Sequence, residues 1–185
     1  MNAKDLSIIE YPSHIVFITG GTKSGKSEFA EHLAKELKIS YVALSENNVD
    51  DKEWQDKIYL HRKRRPKDWK LIETTDLLNT LRKEEGPLLI DSIGGFVMKS
   101  IGKEQNEWSK KMNSLISALI KRKNITIIVG EQVGWSLVSE YKIGNTYIER
   151  IGELQKRITK ISKDNWLAIN GRAIKIDEIS IEIPT

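Results

Sequence analysis

The sequence predicts an α/β fold: a mostly parallel sheet with helices on both faces and a C-terminal β-hairpin. Short, continuous apolar runs at 14–19, 88–91 and 125–129 are typical of strands that are buried on both faces. Segments with apolar residues at helical spacing lie between these runs, so the chain alternates strand and helix. Asn170-Gly171 separates two further apolar runs, which favours a two-residue hairpin turn.

The bulk composition is that of an ordinary soluble domain. The 185 residues are 39% hydrophobic and 30% charged, with a formal net charge of +4. We expect an N-terminal extension, 1–13, followed by a single domain, 14–185. The absence of cysteine excludes disulfides and thiolate zinc sites and fits a reducing compartment. Because no apolar run is long enough to span a bilayer, we expect a cytoplasmic protein without membrane insertion.

The first helix and the second strand follow the run at 14–19. Phe29, Leu33 and Leu37 recur every fourth residue, which predicts an amphipathic helix that packs on the sheet by this stripe. The run 41–44 is apolar and short, which predicts a second strand.

The middle of the chain predicts a further set of alternating elements. The charged segment 51–64 predicts a helix that ends before Pro66, since proline disfavours helical backbone in the preceding residue. Segment 69–73 predicts a strand and 76–83 a short helix, ahead of the apolar strand at 88–91.

The last third predicts two long helices and the hairpin. Apolar residues at helical spacing occupy 108–120 and 148–161. The hairpin strands are expected at 166–169 and 173–176. The alternating isoleucines of 179–183 are consistent with an additional edge strand.

The carboxyl ends of parallel strands meet at one edge of a sheet, where ligands bind in folds of this class. Gly20, Ser45, Asp91 and Gly130 each stand at or just after a predicted strand end. We therefore expect these residues to lie together and to surround a ligand site.

A phosphate-binding motif occupies this edge. Residues 20–27 match G-x-x-x-x-G-K-[ST] between an apolar strand and an amphipathic helix, the context that the P-loop NTPase fold requires. The glycines allow backbone N–H groups to turn inward, and the helix directs its positive end at the same point. The predicted nucleotide-binding residues of the loop are Gly20, Gly21, Thr22, Lys23, Ser24, Gly25, Lys26 and Ser27.

The chemistry of the motif assigns individual roles. Lys26 is predicted to act catalytically as a cation on the β- and γ-phosphates of GTP or ATP. The Ser27 hydroxyl is a predicted ligand of Mg²⁺, with Asp91 at the end of a core strand as the partner acid. The alternatives are a glycine turn with incidental lysine and serine, and an Asp91 that caps a helix or turn.

His61 lies in a short basic segment. Helical spacing places Lys57 four residues before it and Arg65 four residues after it on the same face. Nearby cations lower an imidazole pKa and leave the ring neutral and nucleophilic, and they also neutralise phosphate oxygens during attack at phosphorus. We therefore predict His61 as a catalytic nucleophile and Arg65 as a nucleotide-binding residue. The alternatives are a solvated basic helix end and a nucleic-acid patch, although the cluster is brief and no nucleic-acid module accompanies it.

Taken together, these residues resemble the bifunctional adenosylcobinamide kinase/adenosylcobinamide-phosphate guanylyltransferase family of cobalamin synthesis, over about 15–176. The most specific mark is His61 with Arg65-Pro66 and Trp69, which follows the family's His-x-x-x-Arg-Pro-x-x-Trp pattern. The resemblance implies phosphorylation of the corrinoid adenosylcobinamide, followed by transfer of GMP from GTP through a guanylylated His61. It also implies a homotrimer.

The chain departs from the family pattern in its second half. Asp91-Ser92-Ile93-Gly94 stands where the family usually has Cys and Thr beside the acid. The family's Asn-Glu-Val-Gly segment reads Glu131-Gln132-Val133-Gly134, and its later Asn-Gln pair reads Gln155-Lys156. Alternative functions are therefore a simple P-loop small-molecule kinase, a binding or regulatory ATPase, and a divergent nucleotide-binding homologue without transferase activity.

Overall fold

The computed structural model describes residues 14–44, 66–135 and 139–184. Seven strands share one sheet in this part of the chain. They are β1 (Ile15–Gly20), β2 (Ser40–Ala43), β3 (Lys70–Glu73), β4 (Leu88–Asp91), β5 (Thr126–Glu131), β6 (Asp164–Ile169) and β7 (Arg172–Lys175). The helices are α1 (Lys26–Ala34), α2 (Leu77–Lys83), α3 (Gly94–Met98), α4 (Gln105–Ile120) and α5 (Lys142–Ile161), followed by a 3₁₀ helix (Ile176–Glu178).

The strand order across the sheet is β3-β2-β4-β5-β1-β6-β7. Neighbouring strands are parallel from β3 to β6, and β7 alone is antiparallel to its neighbour. The predicted mostly parallel sheet and the C-terminal hairpin are therefore confirmed. In the central strand β1, Thr19 is opposite Gly130 of β5 and Gly20 is opposite Ala168 of β6. The loop after β1 consequently begins between the ends of two neighbouring strands.

Apolar layers cover both faces of the sheet. One face packs against α2 to α5 around Trp108, which is fully buried and lies with its ring 6.1 Å from that of Phe96. The other face packs against α1 through Ala30 and Ala34. This two-sided burial explains why the central strands are continuous apolar runs rather than alternating ones.

The buried face of α1 differs from the predicted stripe. Ala30 and Ala34 are 0% exposed, whereas Leu33 is 37% exposed. The helix also ends at Ala34, before Leu37. Alanine has the smallest apolar side chain, so a face built from it lets the helix axis come close to the sheet, and the larger Leu33 is displaced to the side.

The predicted edge strand at 179–183 was wrong. Its three isoleucines are 74–90% exposed and belong to no strand. The 3₁₀ helix after β7 redirects the chain, because Asp177 accepts hydrogen bonds from the backbone N–H and the side-chain amide of Asn165, at 2.7 and 3.0 Å. The short helix α3 was not predicted.

Two predictions concern residues outside the described ranges. The extension 1–13 and the predicted helix 51–64 lie outside the described residues. Within the described ranges, no helix combines the length and the hydropathy needed to cross a membrane.

Candidate nucleotide-binding site

The phosphate loop connects β1 directly to α1. Gly25, the residue before α1, has φ +95°, a left-handed conformation that glycine adopts without steric cost. Its carbonyl accepts the N–H of Phe29 at 2.9 Å and so starts the helical hydrogen bonds. The N–H groups of the first helical turn have no carbonyl partner within a helix, and they carry the positive end of its dipole. The loop therefore presents an anion site of the kind that binds phosphate.

The loop is held from two sides. Gln132, just after β5, donates its backbone N–H to the carbonyl of Gly20 at 2.9 Å. Gly171, in the hairpin turn, donates its backbone N–H to the carbonyl of Ser24 at 3.0 Å. A Cβ on Gly20 would lie within 3.0 Å of both the Ala168 carbonyl oxygen and Ser24 Oγ. Only glycine fits at the point where the loop leaves the sheet.

Lys26 and the loop hydroxyls supply polar groups. The Lys26 ammonium donates to the Gly21 carbonyl at 3.1 Å, so its side chain folds back across the loop. Ser24 Oγ and Thr19 Oγ1 are buried and have no hydrogen-bond partner among the described residues. A buried hydroxyl without a partner is costly, and a bound ligand would remove that cost.

Asp91 ends β4 at the same edge of the sheet. The Tyr41 hydroxyl donates to its Oδ2 at 2.7 Å. The residue before α3 is Ile93, so Asp91 does not cap that helix. In the described ranges, no group of three or more His, Cys, Asp and Glu residues could hold a metal ion by itself. Ser27 at the start of α1 and Asp91 at the end of β4 stay the predicted ligands of Mg²⁺, an ion that usually takes few protein ligands beside phosphate oxygens and water.

The structure adds Glu131, which the sequence analysis named only as a departure from the family. It ends β5 opposite Gly20, and its Oε1 accepts the Ser92 hydroxyl. Its Oε2 is buried and lacks a hydrogen-bond partner among the described residues. Burial raises the pKa of this carboxyl above its ordinary value, and the Ser92 hydrogen bond opposes that shift. The available signal was an acid directly after an apolar strand, the same pattern as Asp91.

Helices α3 and α5 enclose the Glu131 carboxyl. A Cβ on Gly94 would lie within 3.0 Å of the Tyr147 hydroxyl and of both carboxylate oxygens. Burial, and then the neighbouring Glu131, raise the pKa of the Tyr147 hydroxyl. Gln155 donates to the Glu131 backbone carbonyl at 2.8 Å and accepts from the Gln132 amide at 3.2 Å. The departures from the family pattern thus contact one another beside the phosphate loop.

The predicted nucleophile lies outside the described residues. His61 and Arg65, and also Ser45, fall in the segment 45–65, so their roles stay predictions. The structure does describe the residues on either side of that segment. Leu44 lies at the carboxyl end of β2, where its carbonyl would be within 3.0 Å of a Cβ on Gly95.

Trp69, the last residue of the histidine motif, directly precedes β3. Trp69 is 9% exposed, and its ring stacks on Tyr41 with a centroid separation of 6.5 Å. Tyr41 in turn contacts Asp91. Tyr41 therefore connects Trp69, at the end of the motif, to Asp91, the acid of the predicted metal site.

Residues 16–176 match the family model described as cobinamide kinase / cobinamide phosphate guanyltransferase. The chain belongs to this family. The resemblance stated from the sequence is thereby confirmed, and the two enzymatic activities of the family are those expected from it.

Curated relatives agree with this assignment. The bifunctional adenosylcobalamin biosynthesis protein CobU of Escherichia coli (strain K12) is 25% identical over 181 residues, which cover 88% of this chain and 99% of that protein. The corresponding protein CobP of Pseudomonas aeruginosa is 29% identical over 150 residues, covering 77% of this chain and 86% of CobP.

A solved structure shows the same fold at low sequence identity. A protein of Pyrococcus horikoshii OT3 aligns with a TM-score of 0.50 and 10% identity, over 92% of this chain and 91% of that one. This likeness concerns the fold alone.

Proposed function

We propose that this chain phosphorylates adenosylcobinamide and then transfers GMP from GTP to adenosylcobinamide phosphate through a guanylylated His61. The observation that carries the proposal is a complete phosphate loop in a chain that matches the kinase/guanyltransferase family model over residues 16–176. Lys26, the left-handed Gly25 and the start of α1 together supply the cation and the backbone amides that a triphosphate requires.

The kinase step uses the γ-phosphate of the nucleotide bound in this loop. The substrate hydroxyl oxygen forms a bond to the γ-phosphorus, the bond to the bridging oxygen breaks, and the nucleoside diphosphate leaves while the hydroxyl proton is lost to solvent. Lys26 stabilises the charge on the phosphate oxygens. Mg²⁺, when held by Ser27 and Asp91, would neutralise charge on the β- and γ-phosphates.

The transferase step proceeds by two displacements at the α-phosphorus. A neutral ring nitrogen of His61 attacks the α-phosphorus of GTP and pyrophosphate leaves. An oxygen of adenosylcobinamide phosphate then attacks the same phosphorus, the phosphorus–nitrogen bond breaks, and adenosylcobinamide-GDP is released with His61 regenerated. Arg65 neutralises phosphate oxygens during both displacements.

The described residues on either side of segment 45–65 support this role for His61. Leu44 follows β2 at the edge of the sheet that carries the phosphate loop and Asp91. Trp69 precedes β3, and its ring stacks on Tyr41, which donates to Asp91. Because the segment begins at the edge of the phosphate loop, we infer that it carries His61 to the nucleotide.

The assembly and location complete the proposal. We infer a homotrimer, as the family resemblance implies, and a cytoplasmic enzyme, which a chain without cysteine suits. Its partners are GTP or ATP and the corrinoid, with no nucleic acid.

The test is covalent labelling with GTP that carries a radioactive α-phosphate, in the presence of Mg²⁺. We expect a protein adduct that is labile in acid and stable in alkali, because a phosphorus–nitrogen bond to imidazole has that stability. His61→Ala should abolish the adduct. His32→Ala, which removes an exposed histidine of α1, is the matched control and should label like the wild type.

A second assay separates the two activities. With γ-labelled nucleotide and adenosylcobinamide, His61→Ala should still phosphorylate the corrinoid, whereas Lys26→Ala should not. An adduct that persists in His61→Ala, or a wild-type chain that never labels, would contradict the guanylylated histidine.

A further inference from the structure

Three large apolar side chains are exposed beside the elements that border the phosphate loop. Trp135 is 67% exposed, Tyr141 is 73% exposed and Ile143 is 60% exposed. Trp135 follows the last residue of β5 by four residues, and the other two lie at the start of α5. Single exposed apolar residues are common, whereas a group of large ones indicates a binding surface. We refer to these three residues as the α5 apolar surface.

Local contacts place these residues around the N-terminal turns of α5. A Cβ on Gly134 would lie 3.6 Å from Cγ2 of Ile148, so the chain packs against the second turn of α5 just before it reaches Trp135. Tyr141 is the residue before α5, and its carbonyl accepts the backbone N–H of Asn145 at 3.2 Å. The α5 apolar surface is therefore one surface, although its residues come from two segments.

Helix α5 brings this surface to the border of the phosphate loop. It connects the end of β5 to the start of the parallel strand β6, so its first turns lie at the edge where the strands end. A Cβ on Gly94 would lie within 3.0 Å of both the Tyr147 hydroxyl and the Glu131 carboxylate, and Glu131 is opposite Gly20. Since residues four apart share a helix face, Ile143 continues the side of α5 that carries Tyr147, one turn nearer the N-terminus.

The phosphate loop and the α5 apolar surface differ in chemistry. The loop offers backbone N–H groups and the Lys26 ammonium, which suit phosphate. The α5 apolar surface offers two aromatic rings and a branched aliphatic side chain, which suit a flat apolar group. The corrinoid of the proposed function, on which this inference rests, has both kinds of group: a flat conjugated macrocycle, and a side arm that carries the hydroxyl to be phosphorylated.

We propose that the α5 apolar surface binds the corrin macrocycle of adenosylcobinamide and of its phosphate. The rings of Trp135 and Tyr141 pack against the macrocycle, and Ile143 covers the part nearest to Glu131. Trp135 is four residues from Glu131, a separation of at most about 14 Å even in a fully extended chain. A macrocycle bound there is therefore adjacent to the phosphate site without occupying it.

The test measures binding of the corrinoid and of the nucleotide separately. Equilibrium dialysis in the dark, with adenosylcobinamide detected by its visible absorbance, gives the Kd for the corrinoid. Calorimetric titration with GTP and Mg²⁺ gives the Kd for the nucleotide. We expect Trp135→Ala and Ile143→Ser each to raise the Kd for adenosylcobinamide about tenfold or more, because each removes apolar area that the macrocycle buries. The Kd for GTP should stay at the wild-type value.

Two control variants accompany the test. Trp135→Phe keeps an aromatic ring at this position and should bind the corrinoid more tightly than Trp135→Ala does. Ile181→Ser makes the same change as Ile143→Ser at an isoleucine of the C-terminal tail that is 90% exposed, and it should bind both ligands like the wild type. Circular dichroism verifies that each variant is folded, and light scattering compares its assembly with that of the wild type.

Three results would overturn the inference while the proposed function stands. The first is wild-type affinity for adenosylcobinamide in both Trp135→Ala and Ile143→Ser. The second is an equal loss of affinity for GTP, which would mean that the surface only supports the phosphate site. The third is a loss of corrinoid binding together with a change of assembly, which would identify the surface as a contact between subunits. A wild-type protein that binds no adenosylcobinamide would instead contradict the proposed function itself, and the inference would fail with it.

Discussion

Replacing Gly20 by alanine should disturb both the sheet and the phosphate loop. The new Cβ would lie within 3.0 Å of the Ala168 carbonyl oxygen and 2.6 Å from Ser24 Oγ. The Ser24 side chain can rotate away. The Ala168 carbonyl cannot, because it belongs to β6, which pairs with β1 in this register and with β7 on its other side.

The expected magnitude follows from this fixed contact. Overpacking a well-ordered interior costs about 1–3 kcal/mol. For a chain of this size, each kcal/mol lowers Tm by about 2–4 °C, so we expect a loss of about 2–12 °C. A shift of the loop that removes even one hydrogen bond to a charged phosphate costs about 1.5–3 kcal/mol, which is about tenfold or more in Kd.

The assays are thermal denaturation followed by circular dichroism and calorimetric titration with Mg²⁺ and GTP. Gly152→Ala is the matched control, because Gly152 lies within α5 and a Cβ there would meet no described atom within 4 Å. It should stabilise the protein by about 0.5–1 kcal/mol, since alanine is the better helix former. A Gly20→Ala protein with wild-type Tm and wild-type affinity would refute the steric reasoning.

Two further predictions concern buried groups. Burial raises the pKa of Glu131 above 4.5, so the stability that its carboxyl contributes is present below that pH and is lost as the pH rises through the raised folded value. Glu131→Gln should therefore be more stable than the wild type at about pH 8. Its free energy of unfolding, measured by urea denaturation, should change less between about pH 4 and about pH 8 than that of the wild type. A variant that is less stable than the wild type at about pH 8 would contradict the raised pKa. Trp108 is 0% exposed and donates its indole N–H to Glu153 at 2.8 Å. Trp108→Ala should cost about 3–5 kcal/mol in the free energy of unfolding and Trp108→Phe less, and equal losses would argue against a packing role.

Local signals were sufficient for most of the fold. The phosphate loop, the hairpin turn and the central strands were all predicted because each depends on neighbouring residues: glycine spacing, Asn170-Gly171, and apolar runs. The C-terminal end and the buried face of α1, and the conformation of residues 179–183, were predicted less well. Both depend on contacts with distant residues, namely the sheet under Ala30 and the bond between Asp177 and Asn165.

The sequence alone predicted the class of ligand, since the phosphate loop with its flanking strand and helix is complete within residues 15–34. It also predicted the family through the His61 motif, and the family model confirms that family. Only the tertiary structure showed how the border of that site is built. The Glu131 environment is assembled from Ser92, Gly94 and Tyr147, which come from separate parts of the chain. Burial of a charge depends on everything packed around it, and that information is absent from any short stretch of residues.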